Sequence, residues 1–188
     1  MKKLLSWLIC AVLLLSISAV CAEESAESEI VPAFEVIVSV PEGYTLEGPV
    51  YHTPYICGSQ YKPQSEDRPT LALVVSYNDS ASDITFNDDM SEADLESYIN
   101  KVGEDPESGE VVPYTIQKTG LGTKVAVFSH PEGAIEYYSI WHGYEVSLYA
   151  YNGDPEGELK PITDEQNDAI MAFLTEMDFA KLIVETEE

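Results

Sequence analysis

The residues that could carry chemistry are few and scattered. The chain has three histidines, His52, His130 and His142, and three cysteines, Cys10, Cys21 and Cys57. A thiol–imidazole pair needs a base beside the cysteine. His52 stands five residues before Cys57, and on one strand that odd separation puts the two on opposite faces. His130 and His142 fall in turns near opposite ends of one expected strand, so Cys57 can meet at most one of them. A nucleophilic serine would sit in a G-x-S-x-G elbow. That motif is absent, and Ser108-Gly109 stands in a loop. Zinc needs clustered His, Cys or carboxylate ligands, and H-E-x-x-H is missing. Gly120-Leu121-Gly122 lacks the lysine context of a phosphate loop and reads as a turn. No catalytic residue, metal ligand or cofactor is assigned.

Acidic residues number 34, so a carboxylate pair for sugar hydrolysis can always be drawn and none is informative. Asn78, Asp79, Asp83, Asn87, Asp88 and Asp89 are dense in oxygen. The calcium-loop spacing, with its central Gly and terminal Glu, is absent. Turns and helix capping account for most of them. Aromatic residues are the better binding candidates. Tyr51, His52, Tyr55 and Tyr61 lie in the proline-interrupted segment 48–69. Tyr138 and Tyr149 lie on a strand face expected to be exposed, whereas Trp141 lies on the opposite, core-facing side.

The element that must position these aromatics is 134–151, AIEYYSIWHGYEVSLYAY. It reads as a β-hairpin turning at His142-Gly143, where Gly tolerates positive φ. This register sets Trp141 against Tyr144, Ser139 against Val146, Tyr137 against Leu148 and Ile135 against Ala150. The other face sets Ile140 against Glu145, Tyr138 against Ser147 and Glu136 against Tyr149. The first face is nearly all apolar and the second mixed, as in a sheet packed on one side.

Other elements follow from period and punctuation. Residues 33–40 and 71–77 alternate or run apolar as strands. Residues 50–57 read as an edge strand and 59–68 as a long exposed loop. A short strand is expected at 84–86. VVPYTIQ at 111–117 carries Pro113, which implies an edge or bulge. TKVAVFS at 123–129 is apolar on both faces, which implies a central place. Ser91 should cap a helix at 91–102, and Thr163 with Gln166 should box a second at 163–177. The fold class is α+β, a curved, mostly antiparallel sheet with two helices packed on one face.

The amino terminus reads as a targeting signal. Lys2-Lys3 precede an apolar run from Leu4 to Val20, and Val20-Cys21-Ala22 fits cleavage after Ala22. Lipidation at Cys21 is the second reading of the same residues. The divisions are then 1–22 signal peptide, 23–32 disordered acidic leader, 33–184 one domain and 185–188 a frayed tail. The formal net charge is −25, and cleavage would remove two of the basic residues. Such a surface repels phosphate backbones and anionic lipid. No nucleic acid is expected as partner, nor a membrane span in the mature chain. A monomer is expected, outside the bacterial cytoplasm. Cys57 would be the lone cysteine after cleavage, so no internal disulfide forms.

Two phrases resemble known families. VSVPEGYTLEG, after an exported leader, is similar to the opening of small bacterial extracytoplasmic domains with a Pro-Glu-Gly-Tyr turn. Tyr137, Tyr138, Trp141, Gly143, Tyr144, Val146 and Leu148 resemble a late aromatic pattern in the domain of unknown function numbered 4367. There, as at 163–177 here, a terminal helix follows. The PsbP/Mog1-like fold shares the strand, the turn and a helix on a sheet. The resemblance spans 34–179. The segment 48–68 and the acidic character depart from both. It implies a non-catalytic secreted or envelope domain for interaction or sensing, with an unknown protein or small extracellular ligand as partner. It carries over no catalytic residue. A small-ligand or calcium-binding module is the alternative, and a carboxylate-based hydrolase comes last.

Overall fold

A computed structural model describes residues 33–36, 40–52, 56–106, 108–119, 122–153, 159–176 and 183–186. The expectations for the signal peptide and leader, and for Tyr55, lie outside the described residues. Strand β1 (Ala33–Val36) pairs with β10 (Ile183–Thr186) in a small antiparallel sheet of their own. The main sheet has eight strands among the described residues. Its path is β2 (Tyr44–His52), β3 (Ile56–Pro63), β4 (Thr70–Tyr77), β8 (Tyr144–Gly153), β7 (Ile135–Trp141), β6 (Lys124–Ser129) and β5 (Tyr114–Lys118). The short β9 (Leu159–Lys160) joins β8 off this path. Every neighbouring pair is antiparallel. The two helices are α1 (Glu92–Val102) and α2 (Asp164–Glu176). The α+β class and the antiparallel sheet are as expected.

The hairpin has the expected register at every pair, from Trp141↔Tyr144 to Ile135↔Ala150. His142 at φ 48° and Gly143 at φ 81° make the two-residue turn whose twist matches the strands. Gly143 is needed for a second reason. A Cβ there would come within 3.0 Å of the Asn78 carbonyl oxygen and of Ser82 Cα. The turn therefore packs against the 78–82 segment, and the Asn78 N–H donates to the Gly143 carbonyl at 2.8 Å.

The helices do not share a face of the sheet. On β6, Val125 and Val127 belong to the cluster that contains Ile170 and Leu174 of α2. Ala126 and Phe128, which alternate with them, belong to the cluster that contains Leu95 and Ile99 of α1. Alternate strand residues point to opposite faces, so α1 and α2 lie on opposite sides. The same reasoning corrects the one-sided hairpin. Tyr138 and Ile140, on its mixed face, are only 2% and 0% exposed, because α1 and the 81–90 segment cover that end. The doubly apolar β6 is the local sign of this arrangement.

Both caps form from the expected residues. Ser91 Oγ accepts from the Asp94 N–H at 3.2 Å, and its own hydroxyl donates to Asp94 Oδ2 at 2.6 Å. Thr163 Oγ1 accepts from the Gln166 N–H at 3.2 Å, while Gln166 Oε1 accepts from the Thr163 N–H at 3.0 Å. The second pair is a full capping box.

Two loops are rearranged relative to expectation. Much of the expected loop at 59–68 is strand, since β3 runs to Pro63 and pairs with β4 through Tyr61↔Leu71. The edge strand is β2, and its register shifts between Glu47 and Tyr51, around Pro49. An edge strand tolerates a residue without an N–H. Residues 84–86 make no regular strand. Strands β6 and β7 part beyond Ala126↔Tyr138, and Phe86 enters the gap. Its N–H donates to the Ile140 carbonyl at 2.9 Å, and its carbonyl accepts from the Lys124 N–H at 2.8 Å. Phe86 is fully buried and meets Tyr138 and Tyr98 edge-on.

Candidate functional site

Among the described residues, helix α1 and the Phe86 wedge cover the β6–β7 end of their face. The rest of that face is laid out by strand register. One row reads Gln60, Ala72, Tyr149 and Glu136. The next reads Gly58, Val74, Ser147 and Tyr138. On it Gln60, Ala72, Val74, Ser147, Tyr149 and Glu136 are all half-buried, with the Glu136 side chain 14% exposed. On the α2 side, by contrast, their neighbours Leu71, Leu73, Val75, Val146 and Leu148 are at most 2% exposed. The residues of this half-face are mostly small or polar beside Tyr149 and Tyr151.

Polar groups here are tied together across strands. Gln60 Nε2 donates to the Tyr151 hydroxyl at 3.1 Å. Ser147 Oγ donates to Glu136 Oε1 at 2.8 Å, and His130 Nε2 lies 3.3 Å from Glu136 Oε2. This serine, carboxylate and imidazole are not ordered as a nucleophilic triad. There the imidazole stands between the other two and takes the serine proton. Here the carboxylate stands between, with Ser147 on Glu136 Oε1 and His130 on Glu136 Oε2. At the border with α1, Glu145 Oε1 accepts from Asn78 Nδ2 at 2.9 Å and from the Tyr98 hydroxyl at 3.3 Å.

The sequence candidates divide. Tyr149 lies on the half-buried face, at its centre. Tyr51 and His52 lie on the edge strand β2, at register positions opposite Gly58 and Cys57. Tyr61, expected on the loop, is 1% exposed inside the α2-side core. Burial pushes its hydroxyl up to about 12. Tyr138, expected to be exposed, is buried beneath α1. Its hydroxyl makes no well-aligned hydrogen bond among the described residues, although the Tyr98 hydroxyl stands close by. Burial first, then the charge of Glu145, raise its pKa far above the ordinary tyrosine value.

The register also corrects the argument made about Cys57. His52 and Cys57 are not on one strand. They sit at paired register positions on β2 and β3. What argues against a reactive thiol is its setting. Cys57 is 8% exposed, and burial raises its pKa, the reverse of what a nucleophile needs. Among the described residues no group of three or more His, Cys, Asp or Glu could hold a metal ion.

Sequence reasoning missed one further feature. Asn87, Asp88, Asp89, Gly122, Thr123 and Trp141 line an open depression of about 280 Å³. The 87–89 turn is set by the Asp89 N–H, which donates to Asn87 Oδ1 at 3.0 Å. Lys118 Nζ is hydrogen-bonded to Asp88 and holds that carboxyl below the usual carboxylate range. Lys124 Nζ donates to the Met90 carbonyl at 3.0 Å. Trp141 packs one side against the core and lines the depression as well. Nothing in the sequence joins residue 141 to residues 87–89; only the parting of β6 and β7 does.

Comparison with known proteins returned no match: no family model, no curated protein and no solved structure. Among the described residues no helix is long and apolar enough to cross a membrane.

Proposed function

We propose that this protein is a non-catalytic interaction domain that works outside the cytoplasm. Its contact surface is the half-face around Tyr149, and its occupant is a protein with a basic contact surface. The observation that carries this reading is the half-buried row Gln60, Ala72, Tyr149 and Glu136, beside a fully buried opposite face. Small residues next to an aromatic give a flat surface with one rigid anchor, a common form of binding hot spot. The partner's sign follows from charge. The chain carries −25 overall, and Glu136 and Glu145 lie on this side of the sheet, so approach of a basic surface is favoured. The apolar run behind Lys2-Lys3 and the resemblance to extracytoplasmic domains support export.

A photo-crosslinkable residue at position 149, with a control at Glu96 on the exposed side of α1, tests the surface in producing cells. The expected result is a protein adduct at 149 and none at 96. With the purified partner, Glu136→Gln and Glu145→Gln should each weaken binding. Equal adducts at both positions, or none at 149, would remove this reading. Export is tested by N-terminal sequencing, which should begin at Glu23. A leader retained in the cytoplasmic fraction would contradict it.

A further inference from the structure

We infer that the depression beside Trp141 binds one ring of a neutral, polyhydroxylated ligand, that is, a sugar. The site is separate from the Tyr149 face and does not depend on it. Three observations converge. The first is an aromatic wall. Trp141 is half-buried at the end of β7, lines the depression and meets the His142 ring edge-on. A flat indole receives the C–H face of a sugar ring as it receives other apolar groups.

The second is the kind of polar group around that wall. Asp88 and Asp89 only accept hydrogen bonds. The Asn87 amide has donors as well as the oxygen already used by the Asp89 N–H. Lys118, bonded to Asp88, donates. A ligand that answers such a set must both donate and accept at neighbouring atoms. Hydroxyl groups do so, whereas an ammonium only donates and a carboxylate only accepts.

The third is charge. Two carboxylates, Asp88 and Asp89, are matched by two ammonium groups, Lys118 and Lys124, which both act on Asp88. With Asp88 held by Lys118, no group of three or more His, Cys, Asp or Glu among the described residues is there to hold a metal ion. A calcium ion would need six to eight oxygens, and two partly committed carboxylates do not supply them. The anionic molecule as a whole disfavours an anionic ligand. At about 280 Å³ the space lies at the lower end for ligand sites, which suits one ring and not a large cofactor.

Trp141 is also the reporter. The chain has two tryptophans; Trp7 lies in the leader that cleavage after Ala22 would remove, and Trp7→Phe silences it if the leader is retained, which leaves Trp141 alone. Its fluorescence should be followed during titration with glucose, galactose and N-acetylglucosamine, and separately with calcium chloride and tetramethylammonium chloride. At least one sugar should give a saturable change with half-saturation on the order of 1–10 mM. Asp89→Ala, at an exposed position, should weaken that response about tenfold, while Tyr149→Ala leaves it unchanged. The inference is overturned by a flat response to all three sugars up to about 100 mM. It is equally overturned if calcium or tetramethylammonium produces the saturable change and sugars do not. A sugar response untouched by Asp89→Ala would place binding elsewhere and also overturn it.

Discussion

Tyr137 and Tyr138 are chain neighbours on β7, yet their hydroxyls have opposite circumstances. Tyr137 donates to Asn167 Oδ1 of α2 at 2.6 Å. Tyr138, on the other face, has only a poorly aligned neighbour among the described residues, the Tyr98 hydroxyl. Removing a made hydrogen bond costs about 1 kcal/mol, whereas removing an unsatisfied hydroxyl costs nothing of that kind. Denaturant unfolding should therefore show Tyr137→Phe destabilised by about 1 kcal/mol and Tyr138→Phe unchanged or slightly more stable. Ionisation separates buried tyrosines from exposed ones too. Burial raises Tyr61 and Tyr98 to about 12. A pKa raised above its unfolded value near 10 favours the folded state below that pH. Stability should thus hold to about pH 10 and fall as pH rises toward 12, which ultraviolet tyrosine titration alongside circular dichroism would follow. Cys57, with its pKa raised by burial, should resist iodoacetamide at pH 8 in the folded protein and react once urea unfolds it.

The hairpin and the caps carry local chemistry, and that is why they are legible in the sequence. Alternation over 134–151 leaves one register in which Tyr137, Ser139 and Trp141 share a face, and Gly143 marks the turn. Gly143→Ala should cost about 2 kcal/mol or more. It places a Cβ at positive φ and within 3.0 Å of two backbone atoms. Thr163→Ala should cost about 1 kcal/mol by opening the α2 box, measurable by thermal or denaturant unfolding. The strand β3 was not legible for the opposite reason. Its ICGSQYKP has no clean alternation and ends in proline. Its strand character comes from lying between β2 and β4, which no local pattern records.

At the scale of the molecule, the largest departure concerns which side each helix takes. Leu95 and Ile99 announce an apolar stripe without naming the face it meets. Ala126 and Phe128, apolar opposite Val125 and Val127, were the one sign that both faces need cover. Covering only part of the second face is what leaves Tyr149 half-buried and hides Tyr138. Of the tyrosines read as exposed in the sequence, Tyr149 is half-buried while Tyr61 and Tyr138 are buried, and the Trp141 depression depends on contacts across more than fifty residues of chain. Central to the proposed function is that the half-buried Tyr149 face is reachable in the isolated protein and covered by a partner in the cell. Tetranitromethane nitration, read by mass spectrometry on purified protein and on intact producing cells, tests this most directly. The account predicts that Tyr149 is nitrated in the purified protein and protected in cells, with Tyr61 and Tyr138 protected in both. Tyr138 reacting as readily as Tyr149, or Tyr149 reacting equally in the two settings, would contradict it.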